Sequence, residues 1–239
     1  MGEGHRHMGD QLEERIKFLS EVDVLEPLAP QELDRLAQRT PERSFQSGEL
    51  VYIKGAAPGP LFLLLRGRIR LYAAAVGQEL TLEVLQAGTI FGESSLTGHP
   101  HPENAQALEP ARVGVLSLNA FWQLVRENPE VDARVMKLVV NRSCANRSRM
   151  MDIALKGVTA RLASLILDLL QREGVITREG HYRILPRYTH EDLATMIGAK
   201  RVAVTRAFGA LQELGGVHLQ RRQIYVIDLS ALKQVAAGV

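Results

Sequence analysis

The stretch "GESSLTGHPHPENAQA", Gly92 to Ala107, offers two kinds of chemistry. Gly92 and Glu93 form a Gly-Glu pair able to hold a small ligand, and His99, His101 and Glu103 are side chains that ligate metals. Pro100 and Pro102 lie between those three, so a solvent loop is expected there rather than a ligand-bearing strand. A second set lies near the other end. Leu193 to Gln212 contains Lys200, Arg201 and Arg206 and no acidic residue, a local field that attracts a polyanion. The formal net charge of +2 hides this asymmetry: residues 1–157 hold 18 Lys and Arg against 20 Asp and Glu, whereas residues 158–239 hold 11 against 7.

The single cysteine, Cys144, excludes an internal disulfide and cysteine-rich zinc or iron-sulfur sites, and is expected to pack. His5 and His7 stand in a Gly/His-rich start that reads as a tail, with Met8 a further start codon position. No apolar run of about 18 residues and no leader pattern occurs, so the expectation is a cytoplasmic protein that does not enter a membrane. At 239 residues, two domains are expected.

The elements that position these residues follow from periodicity. Pro30 suits a first helical turn, with Leu33, Leu36 and Ala37 as its stripe. From Arg43 to Ser117, short runs such as "LFLLLRG", "RIRLYAAA" and "LTLEVL", broken by Gly or Pro, imply an antiparallel barrel or sandwich. Arg68 and Arg70 alternate with Ile69 and Leu71 as in a half-solvated sheet. Asn119 is the expected N-cap of a short helix, and a long one follows from Pro129 to Gly157. Val131, Val135, Leu138, Met150 and Ile153 lie near one stripe of that helix, interrupted by Arg142 and Asn146. About 28 residues make it about 42 Å long, too long for a small barrel, so this stripe is expected to pair with a second copy. Beyond it, "VTARLASLILDLLQREG" is a helix. Thr189 then caps a helix with Asp192 three residues on, Gly198 takes a tight turn, and a second helix runs from Lys200 to Leu214 with Arg201, Thr205 and Arg206 outward. "VHLQRRQIYVID" adds two strands around Arg221 and Arg222, a basic wing.

This order of parts, over Phe18 to Leu232, resembles the cyclic-AMP receptor protein and FNR family of bacterial transcription regulators. The motifs that carry it are "FLSEVDVLEPLAPQELDRLA", "LFLLLRGRIRLY", "GTIFGE", the "NPE" start of the long helix, "VTARLASLILDLL" and "LATMIGAKRVAVTRAFGALQ". The resemblance implies an α+β chain: a jelly-roll-like, cyclic-nucleotide-binding antiparallel β-roll over 18–127, a dimerisation helix over 128–156 and a winged helix-turn-helix over 157–239, on a palindromic DNA site.

Members that read TGTGA carry Arg, Glu and Arg after the turn. Here Arg201 and Arg206 fill the arginine positions and Val202 stands at the glutamate. Arginine forks onto guanine, whereas valine accepts nothing from cytosine and touches a thymine methyl instead, so a GTA-like half-site is expected, similar to that implied for the cyanobacterial global nitrogen regulator. Thr189, Lys200, Thr205, Arg221 and Arg222 are expected on phosphates. In members that bind a cyclic nucleotide, a Gly-Glu pair contacts ribose and a later Arg-Ser pair holds the phosphate. Gly92 and Glu93 match the first; Glu103 and Asn104 replace the second, and Asn146 and Arg147 replace the adenine-contacting Thr-Ser of the long helix. A carboxylate repels a phosphate, so a pocket remnant is expected that does not take cyclic AMP, with no cofactor and at most another small effector. The resemblance further implies an activator that contacts RNA polymerase through the loop Gly174 to Tyr182. Two readings compete with a regulator: a metal-dependent jelly-roll enzyme, whose cupin-type pattern needs a later strand histidine, and an architectural DNA binder.

Overall fold

Leu61 to Leu65 are all buried, and the reason lies in what packs on each face of their strand. A computed structural model describes residues 13–177 and 180–238; His5, His7 and Met8 fall outside it. In order, the elements are α1 (residues 13–20), α2 (Pro30–Arg39), β1 (Glu42–Phe45), β2 (Leu50–Tyr52), β3 (Leu61–Arg66), β4 (Arg68–Ala75), β5 (Gln78–Gln86), β6 (Thr89–Phe91), β7 (Asn104–Ala107), β8 (Ala111–Leu116), α3 (Leu118–Glu127) and α4 (Pro129–Leu155). They continue as α5 (Val158–Glu173), β9 (Gly174–Ile176), β10 (Tyr182–Ile184), α6 (His190–Ile197), α7 (Arg201–Glu213), β11 (Val217–Gln220), β12 (Gln223–Val226) and α8 (Leu229–Ala237). Two compact units result, the first holding residues up to Ala73 with Leu82–Ser143, the second Ala74–Thr81 with the chain from Cys144 onward.

In the first unit two antiparallel sheets, β1-β8-β3-β6 and β2-β7-β4-β5, face each other. Phe62 and Leu64 of β3 point into the space between the sheets with Tyr52, Ile69 and Phe91. Leu61, Leu63 and Leu65 point the other way, into a second core formed with Leu19, Leu33, Leu36 and Phe121 of the helices. A strand covered on both faces loses the polar half of its alternation, which is why "LFLLL" reads as one apolar run. On β4 the expected alternation holds: Ile69 and Leu71 are buried, while Arg68 pairs with Glu109 at 2.9 Å and Arg70 lies 4.1 Å over the Tyr72 ring.

Helix ends follow local chemistry, with two differences from expectation. Glu32 reaches back to the Ala29 N–H at 2.8 Å to start α2. Helix α3 is capped by Ser117, whose hydroxyl accepts from the Ala120 N–H, and not by Asn119. Gly157 is extended (φ −65°) and serves as N-cap of α5 rather than as a left-handed stop for α4.

The largest correction concerns α4. Val131 and Val135 are buried in the core of their own unit, with Leu138 packed against it, and Arg142 turns toward the same side. These four are therefore not a free seam. The exposed residues Ala133, Met136, Val140, Ser143, Arg147, Met150 and Ala154 instead recur at alternating steps of three and four, a heptad seam over nearly the whole helix. Met150 and Ile153 are exposed, the former on this seam and the latter beside it. Cys144 is exposed and accepts from Arg147 Nη2 at 3.3 Å, so it does not pack.

In the second unit, Leu162, Ile166 and Leu169 of α5 bury against Leu193 of α6, Val204 and Phe208 of α7 and Ile224 of β12. The sheet β11-β12-β10-β9 closes one edge.

Candidate functional site

The reader is built from α6, a turn and α7. Thr189 accepts from the Asp192 N–H at 3.1 Å while Asp192 accepts from the Thr189 N–H at 2.7 Å, a reciprocal cap. The Thr189 hydroxyl also donates to Asp192 Oδ2 at 2.7 Å. Its proton is engaged within the cap. Gly198 at φ +61° ends α6 in the left-handed region, where a side chain is strained, and Lys200 is the extended N-cap of α7. Val204, Ala207, Phe208 and Leu211 are buried, so Arg201, Val202, Thr205 and Arg206, one and four residues apart around the helix, share the exposed side.

Thr205 is not a free hydroxyl: it donates to the Arg201 carbonyl at 3.1 Å and meets His190 Nδ1 at 2.8 Å. His190 in turn stacks on Phe208 with ring centroids 5.6 Å apart. This histidine ties α6 to α7, a role that one His at the start of a helix does not announce in sequence.

Gln220 pairs with Gln223, so Arg221 and Arg222 form a two-residue hairpin turn. Both lie in the left-handed region, φ +51° and +65°, as a type I′ turn demands. Arginine is an uncommon occupant there, where glycine and asparagine are favoured. Both side chains are exposed at the wing tip.

The roll pocket departs from its expected form. Gly92 adopts φ +84°, and a Cβ there would lie 3.0 Å from the Phe62 ring; the turn Glu93–Thr97 begins at once. Glu93 Oε1 accepts from Arg142 Nη1 at 2.9 Å, and the same guanidinium meets Glu83 of β5 at 3.3 Å. Arg142 is 12% exposed at its side chain. It reaches the roll from α4, and both of its carboxylate partners belong to the roll. Glu83 was legible as an inward residue, since it shares the two-residue period of buried Thr81 and Leu85.

Glu103 accepts from the Tyr52 hydroxyl at 3.1 Å, and burial, with Glu93 nearby, raises its carboxyl above the ordinary range. Burial, reinforced by Glu103, likewise raises the Tyr52 phenol. His101 is 3% exposed, against the expectation of a solvent loop: its ring stacks on Tyr52 at 3.9 Å and Nδ1 meets Ser94 Oγ at 2.9 Å. Burial lowers its pKa. His99 is exposed and meets Thr97 at 3.0 Å. His99, His101 and Glu103 thus have different partners, and no metal-competent group of three His, Cys, Asp or Glu occurs among the described residues. Asn104 is structural, accepting from the Lys54 N–H at 3.0 Å. Asn146 and Arg147 are exposed on α4.

No helix among the described residues is long and apolar enough to cross a membrane. The model of the cyclic nucleotide-binding domain matches residues 42–128, and that of the Crp-like helix-turn-helix domain matches residues 160–235. The chain is 28% identical over 214 residues to the cyclic AMP receptor protein of Thermus thermophilus, covering 89% of this chain and 95% of that one. It is 26% identical over 187 residues to the global nitrogen regulator of a Nostoc species, covering 77% and 83%. A solved transcriptional regulator of the CRP/FNR family, also from Thermus thermophilus, superposes with a TM-score of 0.68 at 26% identity, covering 82% of this chain and 98% of that chain. With a cyclic nucleotide-binding roll, a long helix and a Crp-like reader in that order, the chain belongs to the CRP/FNR family of DNA-binding transcription regulators, which are not enzymes.

Proposed function

We propose that this regulator acts in the cytoplasm as a homodimer on a palindromic promoter site, as an activator, and binds DNA without cyclic AMP. The observation that carries the reading is Arg142. It bridges Glu83 and Glu93, so the carboxylate that matches the family's ribose contact is already paired, and Glu103 stands where a phosphate would need an arginine. A cyclic phosphate entering here meets net negative charge. The three-residue and four-residue steps of exposed Met136, Val140, Ser143, Arg147 and Met150 support pairing with a second copy, the polar members fixing register. Arg201 and Arg206 read guanine and Val202 a thymine methyl; Lys200, Arg221 and Arg222 hold phosphates, while Thr189 and Thr205 shape the reader. Contact with RNA polymerase is assigned by family position to the stretch Gly174 to Tyr182.

Selection from a random DNA pool with and without cyclic AMP tests this. Palindromes of GTA-like half-sites are expected in both arms. GTGA palindromes, or enrichment only with cyclic AMP, overturn it. Arg142→Ala is expected to lower stability by about 1–3 kcal/mol, between the values for exposed and buried pairs, and to lower DNA affinity with no rescue by cyclic AMP.

A further inference from the structure

The second unit contains a cavity of about 340 Å³ that neither the reader nor the roll pocket uses, lined by the end of α4, by α5 and by the end of α6. Four cations line it, Arg149, Lys156, Arg161 and Arg172, against Asp152 and Asp168. Both acids are engaged: Asp152 holds Lys156 at 2.8 Å, and Asp168 takes Arg172 at 2.9 Å and Arg149 at 3.8 Å. The Nε of Arg161 is shielded from solvent and has no hydrogen-bond partner among the described residues. A shielded donor left unmade is costly, and native proteins seldom carry one without a reason. Ser148 and Ser164 add hydroxyls, the latter accepting from Lys156 at 3.0 Å, and the apolar side of the wall comes from Leu165 of α5 and Met196 and Ile197 of α6.

We propose that this cavity binds a small organic anion, its carboxylate or phosphate on Arg161 and its apolar body against Leu165, Met196 and Ile197. The size suits a small molecule, and the lining sets a charged side with an excess of cations beside an apolar side, the division an amphiphilic anion needs. Pairing of the long helices leaves it open. On α4 the lining residues Ala145, Arg149, Asp152 and Lys156 recur at steps of four and three, and at 100° per residue they lie opposite the exposed heptad seam. The site also has a route to the reader, because Met196 and Ile197 immediately precede the Gly198 turn into α7. A ligand packed on them shifts the balance of reader conformations it touches unequally.

The test is a titration of the full chain, with methionine and isoleucine methyl groups labelled for NMR, against octanoate, octylammonium and inorganic phosphate. Octanoate is expected to shift the Met196 and Ile197 signals saturably, octylammonium to leave them unmoved, and phosphate to bind more weakly for want of an apolar body. Arg161→Gln is expected to weaken octanoate about tenfold while DNA binding without ligand is unchanged. Equal response to octanoate and octylammonium, phosphate binding as tightly as octanoate, or no saturable shift up to about 10 mM octanoate overturns the proposal. So does a folded Arg161→Gln that binds octanoate like the parent. Should that variant fail to fold, the comparison of the two oppositely charged probes on the parent chain still decides.

Discussion

Glu103 and His101 sit side by side in the roll and titrate with opposite consequences. Burial raises the Glu103 carboxyl above its ordinary value of 4.5, so the folded chain keeps a proton there that the unfolded chain loses. Its contribution to stability is whole below about pH 4.5 and is lost as pH rises through the raised value. For His101, lowered by burial from 6.5, the contribution is whole above that value and lost as pH falls through the lowered one. Gln at 103 keeps an acceptor for the Tyr52 hydroxyl without the charge. Glu103→Gln is therefore expected to gain Tm relative to the parent as pH rises from about 4 to about 7; a constant difference counts against this. Among the reader side chains, Arg201→Ala is expected to cost about 1–3 kcal/mol of DNA binding and to relax one base position. Lys200→Ala instead weakens all sequences alike and lowers the salt slope by about one, so similar behaviour of the two in a binding series across salt concentrations refutes the assignment.

The wing stores backbone strain at its tip. Two arginines in the left-handed region cost roughly 1–2 kcal/mol each relative to residues that prefer it, and the exposed tip places both cations outward. Arg221→Asn with Arg222→Gly keeps the turn and removes the charges. The pair is expected to stabilise the chain by about 1 kcal/mol or more in denaturant unfolding while reducing its affinity for every DNA sequence. Weaker stability with unchanged binding would show that the tip is neither strained nor in contact with phosphate. Helix α4 shows a different division of labour around one cylinder: Val131 and Val135 belong to a core, Arg142 to the roll, and Met136, Val140 and Met150 to the exposed face.

For the whole molecule, the proposed homodimer places that exposed face at its seam. Val140→Glu with Met150→Glu places carboxylates on the seam and leaves the buried residues untouched. Sedimentation is expected to show a monomer that binds a single half-site, whereas an unaltered dimer would move the interface elsewhere. Much of this was legible in the sequence, because it rests on local rules. The Thr189–Asp192 cap, the Gly198 turn, the buried period of Val204, Ala207, Phe208 and Leu211, and the outward Arg201 and Arg206 all follow from spacing along one helix. Helical spacing also identified a stripe on α4, but could not say which side met the roll and which stayed free, since both sides carry apolar residues at three-and-four spacing. Nor could it bring Arg142 to Glu83 and Glu93, or stack His101 on Tyr52, because residues tens of positions apart meet only when two sheets and a helix close on one core. Sequence by itself determined the order of elements and the reader's outward face; the tertiary structure alone decided that Arg142 of α4 pairs with Glu83 and Glu93 of the roll, since long-range packing sets which charges become neighbours.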